Sequence, residues 1–135
     1  MKSFGIKILA VGLVLLPPLL LPVSARADIT AKTLLSDCDN VVPSGSKLMM
    51  NKDSEIKVGA CLGYMSASMA YLMILQATQQ QHGEQPKACV PAKATVDSFR
   101  QAFVYWAGAH PEELGNSASN TVIKFAAFNY PCPKK

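Results

Sequence analysis

This 135-residue sequence has little charge and little histidine: 16% of it is Asp, Glu, Lys or Arg, and His82 and His110 are its two histidines. That scarcity narrows the chemistry. The four cysteines stand 23, 28 and 43 positions apart with no C-x-x-C and no histidine pair, which argues against a zinc site. Haem attachment through C-x-x-C-H and a redox-active C-x-x-C fail on the same ground. No G-x-S-x-G elbow surrounds Ser66 or Ser68, and no glycine-rich loop follows a strand to cradle phosphate. Glu112 and Glu113 are adjacent, so on a helix they would point about 100° apart and make no acid/base pair. No catalytic residues, no metal ligands and no cofactor are predicted.

Half the residues are hydrophobic, but the first 27 weigh on that figure. Lys2 and Lys7 form a positive start, Ile8 to Val23 carries no charge, and Ala25-Arg26-Ala27 supplies the small-x-small pattern cut by a signal peptidase. A cleaved export signal over 1–27 and a mature domain over 28–135 are expected. A membrane anchor is the weaker reading, because the run falls short of the roughly 20 residues needed to span and Pro17, Pro18 and Pro22 interrupt it. Removing Lys2, Lys7 and Arg26 leaves 10 of the 13 basic residues against 9 acidic ones, so the mature domain is close to neutral. No basic cluster with interleaved aromatics remains to follow a phosphate backbone, and nucleic acid is excluded as a partner on that ground.

Cys38, Cys61, Cys89 and Cys132 all lie beyond the signal, and an even count in an exported chain predicts two disulfides. The helical pattern selects among three pairings. In antiparallel hairpins the end of the first helix meets the start of the second, and the end of the fourth meets the start of the third. Cys38 with Cys61 and Cys89 with Cys132 follow.

The fold class expected is all-α, a small bundle of about four main helices stapled by those disulfides. A short first helix over 28–37 has Thr30 as N-cap. Turn formers from Asp39 to Lys57 predict a loop with an apolar tuck at Leu48-Met49-Met50. Val58, Cys61, Leu62, Met65, Met69, Leu72, Met73 and Gln76 then share one helical stripe. Ala60, Tyr64, Ala67, Tyr71, Ile74 and Leu75 make a second stripe on the same helix, which must therefore be covered twice, as a central helix or a dimer seam. Gly83 stops it. Thr95 caps a third helix whose face is Val96, Phe99, Phe103, Trp106, Ala107 and His110, and His110-Pro111 breaks it. Asn116 or Ser117 caps a fourth, with Ala118, Thr121, Val122, Phe125, Ala126 and Asn129 on one face, ended by Pro131 before a frayed tail.

Five blocks in order, Leu34-Leu35-Ser36-Asp37-Cys38, Ala60-Cys61-Leu62-Gly63-Tyr64-Met65, Ala88-Cys89-Val90-Pro91, Ala109-His110-Pro111-Glu112 and Phe128-Asn129-Tyr130-Pro131-Cys132-Pro133, span nearly the whole mature domain. Together they resemble the Rap/Tai family of type VI secretion immunity proteins. The resemblance implies a periplasmic helical protein, often a homodimer, that binds a cognate secreted amidase or other cell-wall toxin and obstructs its active-site groove without turnover. Nothing in the residues of the mature domain tethers it, so no membrane partner is expected after signal cleavage. Exposed candidates for partner binding are His110, Pro111, Glu112 and Glu113 in the turn, and Gln80, Gln81 and His82 at the far end of the long helix, each of which a turn or helix end would also explain. Two rivals stand beside it: a periplasmic acid-stress chaperone of the same size and make-up, and a domain of this fold with no toxin partner.

Overall fold

The computed structural model describes residues 29–39, 41 and 52–134. The expected export signal and the Leu48-Met49-Met50 tuck lie outside them. Four α-helices follow in order, α1 (Ala31–Asp39), α2 (Lys52–Gln81), α3 (Val96–Ala109) and α4 (Ala118–Asn129), with a 3-10 turn, Pro111–Glu113, between the last two. Local chemistry sets their ends. Thr30 Oγ1 accepts the Thr33 N–H at 3.2 Å at the head of α1. Thr95 and Ser98 form a reciprocal capping box on α3. Ser117 is the N-cap of α4, with its Oγ accepting from the Asn120 N–H at 3.4 Å. At the end of α2, Gly83 takes a left-handed φ of 74°, its N–H reaching Gln80 O at 3.1 Å and the Glu84 N–H reaching Gln79 O at 2.8 Å. This is a glycine-dependent helix stop, since a side chain at that φ would clash with its own backbone.

One expected boundary is corrected. Lys52 to Lys57, expected as loop, are the first turns of α2, which runs for 30 residues and about 45 Å at the usual rise. The apolar period that defines the rest of the helix is missing there. Charge replaces it: Asp53 and Glu55 sit against the positive end of the helix dipole, and Asp53 pairs with Lys57 one turn on at 3.1 Å.

The core lies where the four helices meet, with Cys61, Met65 and Leu72 of α2 in the same cluster as the aromatics of α3 and α4. Phe99, Phe103 and Phe125 have no exposed surface, and Phe125 packs edge-on against Phe99 at 5.1 Å and Phe103 at 5.6 Å. Tyr130 stacks on Phe99 at 5.8 Å and closes one side. Leu34, Ala31 and Cys38 of α1 fill the space above. The buried Arg100 ties α3 to α1: its Nη1 donates to the Cys38 carbonyl at 3.0 Å, and Asp97 takes its Nη2 at 2.8 Å and Nε at 2.9 Å. A cation at the C-terminal end of α1 complements that helix's dipole.

Both disulfides form as expected, Cys38–Cys61 and Cys89–Cys132. Because α2 begins at Lys52, Cys61 lies well inside that helix and not at its start. The bridge therefore pins the middle of the N-terminal half of α2 to the end of α1.

Packing covers α2 on one side. Cys61, Met65 and Leu72 are buried, and Val58, Leu62, Met69, Met73 and Gln76 are half-buried along the same stripe. From the second stripe Tyr64 and Leu75 are half-buried, whereas Ala60 and Ala67 are exposed and Tyr71 and Ile74 keep 56% and 66% of their surface. The helix is long and apolar enough to cross a membrane by length and composition alone, yet it packs on α1 and α3 and is bonded to α1. Within one chain it is covered once, not twice. The tail is also more ordered than expected, since Pro133 O accepts from Gln85 Nε2 at 3.0 Å.

Candidate functional site: a braced turn between α3 and α4

The turn between α3 and α4 is fixed from three directions. Its first brace is aromatic. His110 lies over Trp106 with ring centroids 4.3 Å apart and planes 19° from parallel, and Phe128 of α4 meets it edge-on at 5.9 Å. His110 Nδ1 is 2.7 Å from the Trp106 carbonyl. A carbonyl only accepts, so Nδ1 carries a proton, and in the neutral ring Nε2 is left as an acceptor.

The second brace is electrostatic. Lys124 Nζ reaches both oxygens of Glu113, at 2.9 and 2.8 Å, and Asn116 Nδ2 donates to the same carboxylate at 2.7 Å. The hydrogen bond from Lys124, followed by that from Asn116, holds the Glu113 pKa below the ordinary glutamate range. The pair is half-open to solvent, which limits its strength.

The third brace comes from the other end of the chain. The Ala31 N–H donates to Asn116 O at 2.9 Å, the Lys32 N–H to Leu114 O at 3.0 Å, and the Ala118 N–H to Ile29 O at 2.7 Å. An isolated antiparallel bridge joins Thr30 to Ser117. The first N–H groups of α1, which lack partners within their own helix, thereby hold the segment that follows the turn.

These braces sort the four residues expected there. His110 and Glu113 face inward and hold the turn. Pro111 and Glu112 are exposed at its apex, with Pro111 at the first position of the 3-10 turn, where its missing N–H costs nothing. Beside them Phe128 keeps 68% of its surface, and on α3 Tyr105 keeps 85%. Neither aromatic was expected from the sequence, where both fall between the periodic core positions of their helices; that off-stripe placement is the signal for them. Lys124 and Asn116 were missed as well, because their pairing with Glu113 depends on how α4 folds back over the turn.

Gln80, Gln81 and His82 sit at the end of α2 and are all exposed. No hydrogen bond, ion pair or ring contact joins them to the turn among the described residues. Gln80 lines an open cleft of about 230 Å³ with Met73, Gln76, Ala77, Val90 and Ala92. The cleft wall holds no ionisable group. No cluster of three or more His, Cys, Asp or Glu side chains suited to a metal ion occurs among the described residues.

Two disulfides, a braced turn and an uncovered face of α2 are what this fold offers for contact. The family model for Rap1a immunity proteins matches residues 30–132, and the chain belongs to that family. Membership implies a toxin-immunity role, exercised by binding a cognate toxin. No curated protein and no solved structure matches the chain.

Proposed function

We propose that this protein is exported to the periplasm, where it binds and blocks a type VI secreted peptidoglycan amidase and so protects its own or sister cells. The observation that carries the reading is the family match over residues 30–132, which takes in all four helices and all four cysteines. The braced turn supports it physically. A loop already held in one shape loses little conformational entropy when it enters a groove, so its contacts go into affinity. Pro111 and Glu112 at the apex, flanked by Phe128, form the surface offered to the toxin, and Gln80, Gln81 and His82 belong to a second, peripheral contact. Inhibition is by obstruction, without a reaction on this chain.

The uncovered side of α2 serves a homodimer in this reading. Gly59, Gly63, Ala67 and Ala70 are exposed along it between Ile56, Tyr71 and Ile74, so a second α2 approaches closely and buries the larger side chains. Light scattering of the mature protein and of Ile74→Glu tests this part: a dimer that Ile74→Glu converts to monomer is expected, and a monomeric parent refutes it.

The role is tested by incubating the oxidised mature protein with the secreted product of the adjacent gene and following release of peptides from peptidoglycan. Formation of a stable complex that abolishes cleavage is the expected result. Absence of binding, with suppression of client aggregation at low pH, would overturn it in favour of the chaperone.

A further inference from the structure

The two disulfides occupy unlike surroundings. Cys38 and Cys61 have no exposed surface, both lie within helices, and both belong to the central core cluster with Leu34 and Met65. Cys89 and Cys132 are half-buried, and neither is helical. Cys89 lies in the 83–95 connection, and Cys132 lies in the tail between the exposed Pro131 and Pro133. Two hydrogen bonds accompany this second bridge, from the Cys89 N–H to Tyr130 O at 2.8 Å and from Gln85 Nε2 to Pro133 O at 3.0 Å.

Exchange at a disulfide requires a thiolate to approach one sulfur along the line of the S–S bond, so access decides which bridge reacts. Cys38 and Cys61 have no exposed surface, so attack on either sulfur has to wait for the helices to separate. Around Cys89–Cys132 the chain is irregular, and although Ala88 and Val90 beside Cys89 are buried, Pro131 and Pro133 on either side of Cys132 are exposed, so opening takes only a local fluctuation of the tail. We propose that Cys89–Cys132 is a thiol–disulfide exchange site for an external dithiol, a clasp that opens and closes while Cys38–Cys61 keeps the bundle folded.

The step balances as follows. A thiolate of the dithiol attacks Cys132 Sγ; a new S–S bond forms, the Cys89–Cys132 bond breaks, and Cys89 leaves as a thiolate that takes a proton from water. The second thiolate of the reagent then attacks its own partner sulfur in the mixed disulfide and releases Cys132, which is protonated in turn. Two electrons and two protons have passed to the protein, and the dithiol departs as a disulfide. The opened form releases the 83–95 connection from the tail after α4. Ala88 and Val90, which flank Cys89, belong to the same buried cluster as Phe99, Phe103 and Phe125, and their apolar contacts keep the connection on the packed helices when the bridge opens.

The test uses the oxidised mature chain, with dithiothreitol as the dithiol under native conditions. Samples are quenched with N-ethylmaleimide at intervals and mapped by peptide mass spectrometry, with circular dichroism in parallel. Cys89 and Cys132 are expected to label together, at least about tenfold faster than Cys38 and Cys61, while helicity is retained. Labelling of all four at one rate, or loss of helicity with the first labels, would overturn the proposal. The double variant Cys89→Ser/Cys132→Ser supplies an independent check: its remaining bridge should resist dithiothreitol as slowly as in the parent, and reduction at the parent's fast rate would refute a protected core bridge.

Discussion

Phe125 is the residue on which the helical core converges, and replacing it with alanine measures how far the core depends on that point. Its ring is fully buried and meets Phe99, Phe103, Trp106 and Tyr130 at centroid distances of 5.1, 5.6, 5.9 and 6.0 Å. Truncation removes the transfer free energy of the ring and leaves a cavity, together about 3 to 5 kcal/mol for a buried phenylalanine. The upper half of that range applies here, because four aromatic contacts with defined edge-to-face or tilted geometry vanish at once and rigid neighbours refill a hole poorly. About 4 kcal/mol is expected, out of a total of about 5 to 15 kcal/mol for a domain of this size. At about 4 °C per kcal/mol the melting temperature falls by about 16 °C. Urea unfolding followed by circular dichroism checks the number, with Phe125→Leu as a graded control that retains most of the volume and loses roughly half as much. A loss below about 2 kcal/mol for Phe125→Ala at unchanged urea dependence would refute the convergence argument.

Other expectations follow from single contacts. Arg100→Met keeps the volume but leaves the Cys38 carbonyl without its donor and Asp97 without its cation, so about 2 kcal/mol should be lost in urea unfolding. Thr95→Ala removes the oxygen that accepts the Ser98 N–H and should cost about 1 kcal/mol by the same assay. The Glu113 carboxylate has its pKa lowered by Lys124 and Asn116 below the ordinary value of 4.5. Its contribution is therefore present above that value and disappears as pH falls through the depressed one, so parent and Glu113→Gln should differ in urea midpoint at pH 7 and coincide in strong acid. Burial raises the Tyr130 pKa above 10.0, so the neutral phenol is the form that folding favours. Its stabilisation is complete below that pH and is lost as pH rises through the raised value, which Tyr130→Phe should cancel in alkaline unfolding. Glu112→Ala, at an exposed carboxylate on the turn's apex, should leave the melting temperature within about 2 °C of the parent while weakening toxin binding about tenfold in calorimetry.

Periodicity in the sequence determined much of this architecture. The spacing of Phe99, Phe103, Trp106 and Ala107 and of Thr121, Val122, Phe125 and Ala126 put one buried face on each of α3 and α4, because a 3.6-residue repeat leaves no other way to hide those side chains. Thr95, Ser117, Gly83 and Pro131 marked helix ends by local chemistry that works within four or five residues. Four cysteines among antiparallel helices sufficed for the pairing. The start of α2 escaped because it rests on a dipole and one ion pair, neither of which leaves an apolar period to follow.

The candidate site was legible only in outline. His110-Pro111-Glu112-Glu113 stood out as a helix break, but nothing local distinguished Glu112 from Glu113. That division arises from Lys124, 11 positions away, and from the packing of His110 face-on to Trp106 and edge-on to Phe128. Backbone bonds joining Ile29, Ala31 and Lys32 to Ala118, Asn116 and Leu114, each more than 80 positions away, complete it. The unlike burial of the two disulfides and the bare face of α2 belong to the same category. Helix ends and buried faces are set by neighbours along the chain and could be inferred from it; which carboxylate is braced, which sulfur is reachable and which helix face stays open depend on side chains brought together by packing, and only the tertiary structure decided them.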